Sequence, residues 1–420
     1  MIITVAKDET VMAAETVPSY EFPLSDNDNV MPRIYTVVWF VFENTDATDE
    51  KNFMCVDRLK SAMASTLVNY YELAGRLKTL ENGGVAVTCD NSGILWQTAT
   101  SDFSVKDLRE INFEQSQLPD GLVNGAPANG ELLTVRVTTL TDQSVILGVG
   151  MHHSLADATG TFNFIRSWAD AARGLEIAKP NRDRNRLLGV STSSPLSAHP
   201  EYALMPENPA PFPTLPPLTA ATFLFNRDAL DSLKAEALKE VAHLTNQPRL
   251  LSTNDALCGL ILRCVYRADS VAAQDIKFGM AVNGRSRLNP PLPDNYFGNV
   301  NFFAFASISK QKLLASDGLG YAATAVRNSV DHMTNEYMVD ALNWIASQEN
   351  KAKIIPGFSS FFGDDFAATS WVTSPAYETD FGWGTLDVLV PRHKIPRHFI
   401  PSTFCPSTFW SRHFGRKPFL

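Results

Sequence analysis

Residues 144–160 read SVILGVGMHHSLADATG, and the two halves of that stretch demand different backbones. Val145, Leu147, Val149 and Met151 alternate as in a strand, while Gly160 lets the chain turn into TFNFIRSWADAARG, a helical pattern at 161–174 that Gly174 can close. Successive strand side chains point to opposite faces, so His152 and His153 diverge and only one of them can face a given cleft. A strand that delivers histidine into a turn ahead of a helix implies a fold mixing sheets with packed helices.

The same grammar extends both ways. IYTVVWFVFE, residues 34–43, is β-branched and aromatic and predicts a strand. Leu59, Ala62, Met63, Thr66, Leu67 and Tyr70 recur at helical spacing, with Gly75 as a stop, and strands are expected at 84–89, 94–97, 132–139 and 144–151. Nine prolines fall between residues 175 and 220, which predicts an extended crossover at 179–220 rather than a packed element. Beyond it a strand is expected at 221–226, helices at 227–244 and after Ser252 or Thr253, strands at 276–283 and 300–308, and a long helical region at 310–348. The chain thus divides into two α+β halves, 1–178 and 221–420, joined by the crossover.

After Gly384 the composition changes: five Pro, five Phe and three of the eight His accompany one acid, Asp387. No strand alternation survives past Val390. The expectation is an atypical tail that lacks the strands closing the second half and leaves a sheet edge unpaired.

Composition narrows the function classes. The 420 residues carry 36 basic and 45 acidic side chains, a net charge of −9, which makes nucleic acid a poor partner. Cys55, Cys89, Cys258, Cys264 and Cys405 are scattered, with no pair at zinc or redox spacing, which fits a reducing compartment and argues for no metal. The first residues, MIITVAKDETVMAAE, show no basic region followed by an apolar run, and the apolar runs fall short of a membrane span. A cytoplasmic monomer without membrane contact is the expectation.

Chemistry concentrates at His153 and Asp157. A histidine at a strand end is placed to act as a general base, because imidazole titrates near neutrality. The alternatives are a core histidine satisfied by backbone carbonyls, or a metal ligand lacking the companions that zinc requires.

Two further segments stand out: VNGRSRLNPPLPDNYFGNV at 282–300 and ATSWVTSPAYETDFGWG at 368–384. With HHSLADATG they resemble the BAHD acyltransferases of plants and fungi, whose marks are an HxxxD box, here His153 to Asp157, and a DFGWG box, here Asp380 to Gly384. YYELAGRL at 70–77, DRNRLL at 183–188 and STNDALCGLILRC at 252–264 are similar to the branch of shikimate and quinate hydroxycinnamoyl transferases. One departure lies beside the first box, where Ala158 stands in place of the common glycine.

The resemblance implies two chloramphenicol-acetyltransferase-like domains with the active-site channel between them. It implies acyl-CoA as co-substrate, with no permanently bound cofactor, and a small alcohol or amine as acceptor. His153 would deprotonate the acceptor for attack on the thioester. Trp371 and Thr369 would stand near the oxyanion, although Trp371 equally suits aromatic core packing. Asp157 would turn from the channel and pair with Arg285, with Arg287 as the second choice, holding the loop that presents His153. Asp380 is grouped with the catalytic candidates, while Gly382, Trp383 and Gly384 suit a tight structural turn. Tyr296, Gly298 and Asn299 would line the pantetheine arm, and Ser252, at a helix N-terminus, would meet a CoA phosphate. Two other readings stand beside this one: a relative idled by its altered C-terminus, and a condensation-type domain that uses carrier-protein thioesters and shares the HHxxxDG box.

Overall fold

The computed structural model describes residues 1–45, 53–114, 117–125, 127–191, 197–207, 223–244, 250–268, 275–358, 365–372, 375–384, 388–392 and 399–402. The alternating run becomes the strand Val145–His152, buried along its whole length. It lies inside a six-stranded sheet ordered Ile3–Val11, Ile94–Ser101, Leu133–Thr139, Val145–His152, Tyr35–Phe42, Val388–Arg392. Both faces of that sheet are covered. On one, the helices Val56–Asn69 and Ala158–Ala172 lay down Leu59, Met63, Phe162 and Trp168. On the other, Phe103, Leu108 and Leu122 pack over Trp39 and Ile146.

A second sheet of four strands runs Asn301–Ser309, Asp275–Asn283, Phe366–Ser370, Phe399–Ser402. The helices Thr253–Ala268, Gly318–Asp331 and Asn335–Ala346 share its core through Leu262, Val326 and Ile345. The two cores interpenetrate. Val30 and Met31 join the second, while Phe297, Trp371 and Phe381 join the first.

Three expectations change. The long helical region at 310–348 is three helices, Lys310–Leu313, Gly318–Asp331 and Asn335–Ala346. Thr334 starts the last by accepting a hydrogen bond from the Tyr337 N–H at 3.3 Å, which competes with helix continuation. The strand expected at 221–226 is irregular over 223–226, and 221–222 lie outside the described residues. The crossover is packed in part. Arg184, Leu187, His199, Glu201 and Tyr202 are buried, and Tyr202–Leu204 pairs with Ile354–Pro356.

The tail is also corrected. Val388–Arg392 runs antiparallel to Tyr35–Phe42, and Phe399–Ser402 runs parallel to Phe366–Ser370. It therefore supplies one strand to each sheet, and the first of these crosses from the C-terminal half into the N-terminal sheet. Among the described residues no helix is long and apolar enough to cross a membrane.

Candidate active site

His153 is the first residue past its strand, and its N–H donates to the Ile34 carbonyl at 2.8 Å. It opens onto a cavity with about 860 Å³ of empty space, the open mouth included, between the two halves. Met31, Ile34 and Ala158 line it from the first half, and Asn301, Thr369 and Trp371 from the second. The structure thus brings His153, Thr369 and Trp371 to one space. Trp371 has both expected characters: it faces the cavity, and its ring meets Phe162 edge to face at 5.7 Å.

The neighbouring His152 turns the other way. Tyr35 stands edge-on to its ring at 5.1 Å, and its Nδ1 accepts from the Ser154 N–H at 3.3 Å. Burial, with the charges of His153 and Arg33 adding to it, pushes its pKa down to about 4. An unfolded histidine protonates near 6.5, so the stabilisation from this neutral imidazole is complete above that pH and is lost as the pH falls toward 4. Urea denaturation at pH 7 and pH 5 is expected to show a loss of stability that His152→Phe abolishes in part; equal losses in both proteins would refute it.

Asp157 does not touch the His153 ring. Its Oδ2 accepts from Arg285 Nη1 at 2.7 Å and from the Val300 N–H at 2.9 Å, and its Oδ1 accepts from Arg285 Nη2 and the Gly160 N–H, both at 2.9 Å. Both partners are buried, at 1% and 3% exposed, so four donors compensate one desolvated carboxylate. The carboxylate caps the helix Ala158–Ala172, and its oxygens go to Arg285 and two backbone N–H groups rather than to the His153 ring.

The residue that does hold the His153 ring is Asn299, expected instead on the pantetheine arm. Its Nδ2 donates to Asp28 Oδ1 and to the His153 carbonyl, both at 2.8 Å. Neither partner can donate, so the amide oxygen is the atom 3.1 Å from His153 Nδ1. An acceptor there keeps the proton on Nδ1 and leaves the lone pair on Nε2. Asp28 is fixed in turn by Ser25 Oγ at 2.7 Å and by Arg184 Nε at 3.1 Å. Replacing Asn299 by alanine is expected to lower kcat about tenfold to a hundredfold, the worth of one hydrogen bond to a group that becomes charged, with KM little changed. An unchanged kcat would show that the tautomer needs no such support.

Tyr296 and Gly298, also expected on the CoA arm, lie in packed surroundings. Tyr296 is fully buried between the guanidinium groups of Arg184 and Arg285, and burial pushes its hydroxyl up to about 12. The Gly298 carbonyl accepts from Arg285 Nη2 at 3.2 Å, and any Cβ at Gly298 would collide with Arg184 Nη1. YFGN is therefore the packed underside of the site. At Ser252 the hydroxyl accepts from the Asp255 N–H at 3.1 Å while the Asp255 carboxylate accepts from the Ser252 N–H at 2.7 Å. The Asp255 carboxylate is buried there and faces Arg327 Nη1 at 3.6 Å.

Asp380 is likewise not on the cavity. It accepts from the Gly382 N–H at 2.7 Å and faces Arg173 at 3.9 Å, closing a turn in which Gly382 and Gly384 take φ of 97° and 107°. Phe381 is buried between Phe42 and Trp168, and the Arg58 guanidinium lies 4.3 Å over the Trp383 ring. DFGWG clamps the turn onto the end of the helix that His153 introduces.

Sequence reasoning did not single out Asp28 and Arg184, and it did not foresee the contact of Asn299 with the His153 ring. One local signal existed: Ser25 and Asp28 form a capping box on Asp26–Asn29, a four-residue helix without an apolar period, which suits a polar cluster rather than a core element.

The sequence model of the Transferase family matches residues 1–395. A hydroxycinnamoyl-CoA:5-hydroxyanthranilate N-hydroxycinnamoyltransferase of Avena sativa is 32% identical over 405 residues, covering 91% of this chain and 89% of its own. A shikimate O-hydroxycinnamoyltransferase of Nicotiana tabacum is 31% identical over 395 residues, covering 91% and 89%. Among solved structures, F. graminearum TRI101 complexed with coenzyme A and T-2 mycotoxin superposes with a TM-score of 0.75 at 15% identity, covering 91% of each chain, a likeness of fold.

Proposed function

The chain belongs to the Transferase family, the BAHD acyl-CoA-dependent acyltransferases, and we propose that His153 Nε2 is the base with which it moves an aromatic acyl group from CoA to a hydroxyl or amine. Acyl-CoA is its co-substrate, and relatives acting on nitrogen and on oxygen acceptors match it equally well.

The observation that carries the assignment is the amide of Asn299, oriented by two acceptors so that its oxygen meets His153 Nδ1 and the neutral ring has its lone pair on Nε2. Nε2 takes the acceptor proton as its oxygen or nitrogen attacks the thioester carbonyl. The imidazolium that forms keeps its Nδ1–H on Asn299. Negative charge gathers on the former carbonyl oxygen, and the Thr369 hydroxyl and Trp371 indole N–H on the facing wall are its candidate donors. When the tetrahedral intermediate collapses, CoA leaves as thiolate and takes the proton back from Nε2, which restores the base. Both walls of the cavity come from one chain, which supports a monomer, and the scattered cysteines support a cytoplasmic setting. The reading of an idled relative loses its main support, because strands of the tail pair in both sheets.

Incubating the protein with p-coumaroyl-CoA and a panel of small alcohols and amines, with chromatography of CoA and product, tests this. Acceptor-dependent release of CoA with an acylated product is expected. Release that ignores the acceptor, or none from any thioester, would reject it.

A further inference from the structure

One wall of the cavity takes no part in the acid–base chemistry. Gly279 and Ala281 lie two residues apart on one face of the strand Asp275–Asn283 and form a floor at the depth of the backbone. Beside them stand two rings. Phe303, cross-strand partner of Ala281, meets Phe358 edge to face at 5.8 Å. The ring tip of Phe358 rests on Gly279 itself: a Cβ there would come within 2.5 Å of Cε1 and Cε2 and closer still to Cζ.

Phe358 cannot easily shift its backbone to escape. The Gly357 N–H donates to the Glu201 carbonyl at 2.8 Å, and the Gly357 carbonyl accepts from Lys277 Nζ at 3.0 Å. Added bulk at Gly357 would meet the Pro200 carbonyl. The segment is held from both sides, so the missing side chain at Gly279 sets where the Phe358 ring stands. A flat floor flanked by ring edges and faces suits a planar aromatic group, which gains offset and edge contacts that a short aliphatic group cannot reach.

We propose that Gly279 and Phe358 are a specificity-determining pair that selects a flat aromatic ring, carried by the acyl group of the donor or by the acceptor. This rests on the acyl-transfer reading above. The steric dependence predicts a particular non-additivity: with Phe358 cut back to alanine, a methyl at position 279 has nothing left to displace.

The test is binding, measured by calorimetry on the full chain for wild type, Gly279→Ala, Phe358→Ala and the double variant. The donor arm compares p-coumaroyl-CoA with acetyl-CoA, and the acceptor arm compares tyramine with putrescine. In one arm the aromatic preference is expected to fall about tenfold in each single variant, and the double variant to match Phe358→Ala. The arm that responds identifies which substrate carries the ring. No aromatic preference in wild type, preferences unmoved by either substitution, or additive losses in the double variant would each overturn the proposal. Because binding needs no turnover, a slot that behaves as expected in a protein without transferase activity would separate failure of the chemistry from failure of the slot.

Discussion

His153→Ala is expected to lower kcat by about two to four orders of magnitude, the span that a positioned general base contributes. The loss should appear equally in kcat and kcat/KM, because Nε2 gains its interaction only as the acceptor proton moves. Neither the fold nor thioester binding should change much. The ring's hydrogen bond to Asn299 is lost, but Asn299 keeps Asp28 and the backbone carbonyl of residue 153 as partners for its Nδ2. Steady-state kinetics beside a thermal melt checks this. A variant that folds and retains more than about a tenth of wild-type kcat would remove His153 from the base role.

Asp157→Ala should act on stability instead. It leaves the Arg285 guanidinium buried without its carboxylate, and it strips the Gly160 and Val300 N–H groups of their acceptor. Breaking a buried pair in this way costs about 3–5 kcal/mol, and the lost helix cap adds to it. Arg285→Ala should be severe too, but the double variant should cost less than the sum, since each substitution alone strands the other charge. Urea unfolding of the three variants measures the cycle. Additive losses would show that the two groups do not compensate each other. Together the two sets of variants would tell the ends of the HxxxD box apart: in the proposed mechanism His153 acts on the acceptor, while Asp157 holds the loop that carries it.

Much of the frame was legible because periodicity is local. The alternation in 145–151 and the helical spacing in 59–70 became a buried strand and a helix covering it, since each pattern matches the geometry of the backbone that buries it. The divergence of His152 and His153 follows from the same two-residue period. Asp157 and Arg285 stand 128 residues apart, and only the likeness to a family joined them before their carboxylate and guanidinium were seen in contact.

The tail shows how composition misleads. Its prolines and aromatics gave no strand signal past Val390, yet Val388–Arg392 finds the open edge of Tyr35–Phe42, and the ladder supplies what local preference does not. YFGN misled in another way. Aromatic, glycine and amide side chains suit a ligand-lining turn and a buried one equally, and the choice was made by Arg184, arriving from the crossover to lie against Gly298.

The order of amino acids was enough to supply the residue types: a histidine at a strand end, an acid four residues on, two glycine-rich aromatic turns and two α+β halves. Folding added that Asn299 meets the His153 ring, that Asp157 faces Arg285, and that Gly279 seats Phe358. A side chain's type is written in one position, but its protonation state and the space it fills depend on donors, acceptors and bulk that arrive from distant parts of the chain when the two cores close on each other.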